Sequence, residues 1–146
     1  ELVDLGRPGP KVKPENVVLI GIRDLDAKEK ILLRDSGCTT FTMREVDEIG
    51  IRAVLSQILE KFSHLDKIHI SLDLDVMDPL DAPGVGTPSQ GGLTYREGQL
   101  IMEILADTEK LHSFDIMEIN PILDIQNRTA QMAVNLTSSL FGKKIL

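Results

Sequence analysis

Four times along its length the chain passes from an apolar run of strand character into a segment of helical character, and that alternation restricts its fold more than any other feature. The runs are Asn16 to Ile22, Cys38 to Met43, Lys67 to Asp73 and Leu111 to Ile119. Parallel strands cannot be joined by tight hairpins and need crossover connections, most often helices, so the repeating order predicts an α/β fold with a parallel sheet covered by helices. In such sheets ligands bind beyond the carboxyl ends of the strands.

The helices carry their own punctuation. Ala27 to Ser36 is expected to be helical and to stop at Gly37, a residue suited to a left-handed C-terminal position. A long second helix is expected from about Arg44 to Phe62, where Val46, Ile49, Val54, Ile58 and Leu59 fall near helical spacing. The third begins at Thr94, whose hydroxyl can cap it while Glu97 completes a capping box, and Leu100, Ile101, Ile104 and Leu105 form the apolar stripe. The last covers about Asn127 to Phe141, is ended by Gly142, and has Lys143 and Lys144 at its negative terminus.

Composition narrows the partners. The 146 residues fit one domain, and 42% hydrophobic beside 27% charged residues marks a globular chain. A net charge of -7 argues against nucleic acid or an anionic membrane surface as the main partner. The single cysteine, Cys38, cannot form an internal disulfide and is expected to be an inert thiol in a buried strand, which fits a reducing cytoplasm. The chain opens on Glu1-Leu2-Val3-Asp4 with neither a signal peptide nor an initiator Met, so we expect it to begin in mid-protein.

The chemistry concentrates between Ile68 and Gly92. There an apolar strand runs into Asp73 and Asp75 and then into a loop containing Gly84, Gly86, Gly91 and Gly92. Strand side chains alternate faces, so two carboxylates two residues apart project the same way and repel each other unless a cation lies between them. Their oxygens suit hard divalent ions such as Mg²⁺ and Mn²⁺. Asp78 and Asp81 are read as caps of an acidic turn. The segment is no EF-hand, because counting from Asp73 the sixth position is Asp78 and the twelfth Gly84. Nor is Gly84-Val85-Gly86 a dinucleotide loop, since Ser89 stands where the third glycine belongs. Further acidic groups, Asp24 with Asp26 and Glu118, follow the first and fourth strands. His69 is expected to be a packed structural histidine, and His64 and His112 surface or helix-end residues.

These motifs together resemble the C-terminal half of an arginase, in the manganese-dependent ureohydrolase (arginase–agmatinase) family. The likeness rests on Ser71-Leu72-Asp73-Leu74-Asp75, Asp78-Pro79, Pro83-Gly84-Val85-Gly86-Thr87-Pro88 and Gly91-Gly92-Leu93-Thr94-Tyr95-Arg96-Glu97. It implies that residues 1–146 are the C-terminal portion of a single three-layer α/β/α domain whose N-terminal half is absent. It also implies two Mn²⁺ ions per complete subunit, with Asp73 bridging both and Asp75 binding one. Thr87 falls on an active-site threonine, and Glu118, in Asp115-Ile116-Met117-Glu118-Ile119-Asn120-Pro121, on the glutamate that receives the substrate guanidinium. A carboxylate suits that role because planar guanidinium donates paired hydrogen bonds to it. Arg23-Asp24-Leu25-Asp26 with Glu29 resembles the segment that meets the substrate α-amino group; Asp26 is the best candidate, while Asp24 and Glu29 either assist through water or cap the following helix.

The reaction so implied is hydrolysis of L-arginine to L-ornithine and urea, with the metals lowering the pKa of water near neutral pH. The family's remaining metal ligands lie in a glycine-aspartate-histidine and an aspartate-alanine-histidine-x-aspartate motif. Neither occurs in this chain. The fragment alone is therefore expected to be inactive, and a parent protein to be a trimer or hexamer, as related arginases are. Two other readings stay open: an agmatinase or other guanidino-hydrolase, and a non-catalytic assembly module with a vestigial metal pocket. Asp24, Leu25 and Asp26 favour arginine over agmatine.

Overall fold

A computed structural model of the chain describes residues 4–144. Its elements follow in the order β1 (Val18–Ile22), α1 (Ala27–Ser36), β2 (Thr39–Thr42), α2 (Met43–Ile49), α3 (Ile51–Lys61), β3 (Ile68–Asp73), α4 (Tyr95–Asp107), β4 (Leu111–Met117) and α5 (Arg128–Leu140). The class is α/β with parallel strands, as expected. The ladders, however, come in two pieces among the described residues: β1 pairs in parallel with β2, and β3 in parallel with β4. β1 and β3 share one core cluster, through Val18 and Ile20 on one and Ile68, Ile70 and Leu72 on the other, and touch at their carboxyl ends, as described below.

Local signals explain most boundaries. Gly37 ends α1 with φ 80°, the left-handed geometry only glycine adopts without strain. Thr94 caps α4 by accepting from the Glu97 backbone N–H, and the Glu97 carboxylate returns to the Thr94 N–H at 2.8 Å. The expected long helix from Arg44 to Phe62 is instead two, because Gly50 at φ 80° and ψ 149° leaves helical space altogether. The apolar spacing continues across that break, since both helices turn their stripes, Met43 and Val46 on α2 and Ile51, Val54, Leu55 and Ile58 on α3, to one core. At the start of α5, Asn127 makes no side-chain cap; Asp124 does this work from outside the helix, accepting from Thr129 N–H at 3.0 Å and Ala130 N–H at 3.1 Å.

The core lies between α2 to α5 and one face of the strands. Leu72 is buried, with Ile68, Ile70, Phe114 and Ile116 packed against the same cluster as Ile101, Met102, Leu105, Met132, Leu136 and Leu140 from α4 and α5. Gly98 lets α4 come close to Met77 and Leu136: a Cβ there would meet the Met77 methyl at 2.9 Å. The opposite face of β3 and β4 presents His69, Ser71 and Asp73 beside Ser113, Asp115 and Met117, all exposed. His69 is thus a surface residue and not the packed one expected. It is tied to Ser113 Oγ at 2.8 Å and to Asp115 Oδ2 at 3.2 Å, while Ser71 Oγ donates to Asp115 Oδ1 at 2.6 Å. Cys38 is half-buried and precedes β2 instead of opening it.

Candidate metal and substrate site

The carboxyl ends of β1, β3 and β4 meet around the loop 83–92, and strand register decides what faces what. Asp73 ends β3 opposite Met117, the last residue of β4, so Glu118 follows directly beside it. Glu118 has φ 65°, an unusual left-handed backbone for a residue with a Cβ, and a strained conformation of this kind at a strand end is a common mark of a site. Its Oε2 lies 3.1 Å from where a Cβ on Gly86 would stand, so Gly86 gives the carboxylate its room. Asp73 feels this crowding: partial burial, the nearby Asp75 and the charge of Glu118 all push its pKa up, against the lowering effect of the Asp75 backbone N–H, and the net shift is upward.

Asp75 is held from two sides. Its backbone N–H donates to Asp73 Oδ1 at 3.2 Å, and its Oδ2 accepts from Thr87 Oγ1 at 2.7 Å. Thr87 therefore acts on a carboxylate at the heart of the cleft, fixing its rotamer and leaving the other oxygen unclaimed by that bond. The loop carrying Thr87 is itself pinned. A Cβ on Gly92 would lie 2.5 Å from the Val76 carbonyl oxygen and 2.6 Å from the Asp78 nitrogen, so only glycine permits the Leu93 N–H to Val76 O and Asp78 N–H to Leu93 O bonds beside it. Gly84 plays the same part at Asp124, and its N–H donates to the buried Thr129 Oγ1 at 2.8 Å.

As expected, Asp78 and Asp81 are turn residues. Asp78 accepts from Leu80 and Gly91 N–H, and the Leu80 bond leads the effects that draw its carboxyl below the usual range. Asp81 accepts from Tyr95 N–H, the first residue of α4.

The acidic residues after β1 border the same space. A cleft of about 470 Å³ is lined by Arg23, Asp24, Asp26 and Glu29 on one side and by Asp73, Asp75, Thr87 and Ser89 on the other. Asp26 and Glu29 form a reciprocal cap on α1: Asp26 Oδ1 accepts from Lys28 and Glu29 N–H, and Glu29 Oε2 accepts from Asp26 N–H at 2.8 Å. The capping role left open for Glu29 is thus realised, and Asp26 keeps Oδ2 for another partner. Asp24 is exposed and takes no part in that cap.

Sequence reasoning passed over Arg23. Its guanidinium donates to the carbonyls of Asp75 at 2.6 Å and Ser89 at 2.7 Å, and at 3.2 to 3.4 Å to those of Gln90, Val76, Met77 and Gly21. An arginine followed by Asp24 and Asp26 reads as a surface charge, and backbone carbonyls leave no trace in a sequence.

The donor set is hard oxygen, which fits an Mn²⁺-class ion, and the Asp73 pKa is raised first by partial burial and then by the charges of Asp75 and Glu118. Among the described residues no group of three or more His, Cys, Asp or Glu side chains is arranged to hold a metal.

Residues 8–142 match the model of the arginase family. The chain is 50% identical to the arginase of Bacillus subtilis over 145 residues, covering 99% of this chain and 49% of that protein. Its fold superposes on the native arginase structure of Bacillus caldovelox with a TM-score of 0.96 at 50% identity, covering 99% of this chain and 49% of the other. An arginase of Entamoeba histolytica solved with L-ornithine matches at TM-score 0.86 and 32% identity, over 95% of this chain and 46% of that one. The chain spans about half the length of the curated relatives it matches. On its sequence and on its fold, this chain belongs to the arginase family.

Proposed function

We propose that the chain is the C-terminal portion of one arginase-like domain, and that the complete protein hydrolyses L-arginine to L-ornithine and urea with two Mn²⁺ ions. The observation carrying this reading is the convergence of Asp24, Asp26 and Glu29 with Asp73, Asp75 and Thr87 on one cleft. Acids after β1 suit the α-amino group of such a substrate, and the carboxylates across the cleft suit the metal ions that would act on its guanidino end.

Asp73 and Asp75 would hold the metal, together with ligands from outside this chain. When bound, such ions lower the pKa of water enough to supply a nucleophile near neutral pH. The chain's own residues arrange the rest. Glu118, following β4 beside Asp73, would accept from a guanidinium, whose paired N–H groups would orient the carbon under attack. Thr87 keeps Asp75 from rotating out of the cleft. Asp26 Oδ2 accepts from the substrate α-amino group, with Asp24 and Glu29 adding negative potential at that end. The L-ornithine in the Entamoeba histolytica relative supports a diamino acid product at this kind of site.

The test is urea release from L-arginine by the full-length protein carrying this sequence, loaded with Mn²⁺, beside residues 1–146 alone. The reading expects urea from the full-length protein and none from residues 1–146. Preference for agmatine by the full-length protein would transfer the assignment to a related guanidino-hydrolase, and turnover by residues 1–146 would contradict the need for outside ligands.

A further inference from the structure

We infer that Arg23 is a positioning residue that sets the span between the two ends of the cleft, and with it the length of guanidino amino acid the site accepts. This rests on the proposed arginase reading and adds a residue that reading does not use.

β1 and β3 are not joined by a backbone ladder among the described residues, although β1 leads into Asp24 and Asp26 and β3 into Asp73 and Asp75. Val18 and Ile20 of β1 pack against the same core cluster as Ile68, Ile70 and Leu72 of β3, and two further contacts tie the carboxyl ends of the two strands together. Gly21, at φ 85°, approaches Val76 so closely that a Cβ there would sit 2.4 Å from the valine methyl. Next to it, the Arg23 guanidinium draws together the end of β1, the turn 74–77 and the loop at Ser89 and Gln90. Those three segments carry, in order, the carboxylates proposed for the α-amino group, Asp75, and Thr87 within two residues of Ser89.

The guanidinium is chemically suited to this work. Its planar fork of N–H donors reaches several carbonyls at fixed angles, which a lysine ammonium on a flexible stem cannot reproduce. Losing the donors leaves half-buried carbonyls of residues 75–77 and 89 without these partners and frees the ends of β1 and β3 to shift. A shift of this kind alters the reach from metal to amino group, and placement errors of about 1 Å cost rate steeply.

The experiment compares wild type with Arg23→Lys and Arg23→Met in the full-length Mn²⁺-loaded protein. Arg23→Lys keeps charge and stem and stays informative if Arg23→Met does not fold. Amide exchange at residues 75–78 and 89–92 is measured without substrate, and kcat/KM for L-arginine is divided by that for L-homoarginine, one methylene longer. The inference expects exchange in those segments to quicken by about 10-fold. It also expects the arginine-to-homoarginine ratio to fall by about 10-fold. Unchanged exchange overturns the positioning role. Faster exchange with parallel loss on both substrates overturns the span, because a merely structural arginine would weaken both alike. If the wild type releases no urea from arginine but cleaves agmatine, the arginase reading fails by itself, and the ratio is taken between agmatine and its one-methylene-longer homologue. A protein that cleaves none of these overturns both.

Discussion

The two sides of the cleft are built in opposite ways. The segment 74–93 is locked into the protein by close backbone approaches at Gly84 and Gly92, by the buried Gly84 to Thr129 bond and by Arg23. The other side, α1 with its cap at Asp26 and Glu29, has no buried residue, exposes Ile31 and Leu32, and holds its shape largely through its own capping box. The difference teaches that the groups proposed to hold metal are positioned by the core, whereas those proposed to meet the amino-acid end are positioned locally. The first arrangement costs stability when altered, and the second leaves room to change recognition at little cost.

The sharpest way to break that contrast is Gly92→Ala. The added Cβ would meet backbone atoms of residues 76–78 at 2.5 to 2.6 Å, and backbone cannot step aside as a side-chain tip can. A loss of about 3 kcal/mol in urea denaturation is expected, and a loss under about 1 kcal/mol would show that the loop is not pinned there. Next comes Thr129→Val, which leaves the buried Gly84 N–H without its acceptor and should cost about 2 kcal/mol.

How much of this was legible in the sequence varies with the range of the interaction. Gly37 and the Thr94 to Glu97 box were readable because the signal and its effect lie within four residues. The break at Gly50 was not, since apolar residues on both sides point to one core and keep a helical rhythm through it. Asp73, Asp75 and Thr87 stood out by motif, and the structure brings them to one cleft with Asp26. Arg23, Thr129 and Asp124 stayed hidden because their partners are backbone groups, some of them 45 to 67 residues away. The left-handed backbone of Glu118 likewise has no sequence signal, as nothing in Met117-Glu118-Ile119 requires it.

Asp124 gives the comparison a pH dimension. Partial burial raises its pKa, but N–H donors from Thr129, Ala130 and Ile125 and the Thr129 hydroxyl outweigh this and leave the group below its usual value. A folded-state pKa below the unfolded one adds stability above the unfolded value of about 4, and that stability is lost as pH falls through the folded value. The stability gap between wild type and Asp124→Asn should therefore be about 1 kcal/mol at pH 6 and shrink toward pH 3. A gap that widens on acidification would reverse the assignment.

On the α1 side the effects should be smaller and separable. Asp26→Ala removes the cap and should cost about 1 kcal/mol, whereas Asp26→Asn, a good cap without charge, should cost a few tenths. In the full-length protein the Asn variant should nonetheless raise KM for arginine, because the lost charge faces the proposed amino group. Equal stability loss in both variants would mean the cap is not the support it is taken for. Smallest of all is Ile31→Ser, on an exposed position of α1, expected within about 0.5 kcal/mol of wild type by thermal or urea unfolding. A larger loss would place α1 in the core and erase the contrast.

The most direct measurement is anomalous diffraction at the manganese edge from crystals of the full-length protein carrying this sequence, grown with Mn²⁺. The account predicts manganese peaks against the carboxylate oxygens of Asp73 and Asp75, with Thr87 still donating to Asp75. Peaks elsewhere, or Asp73 and Asp75 turned apart into solvent with no metal between them, would contradict it.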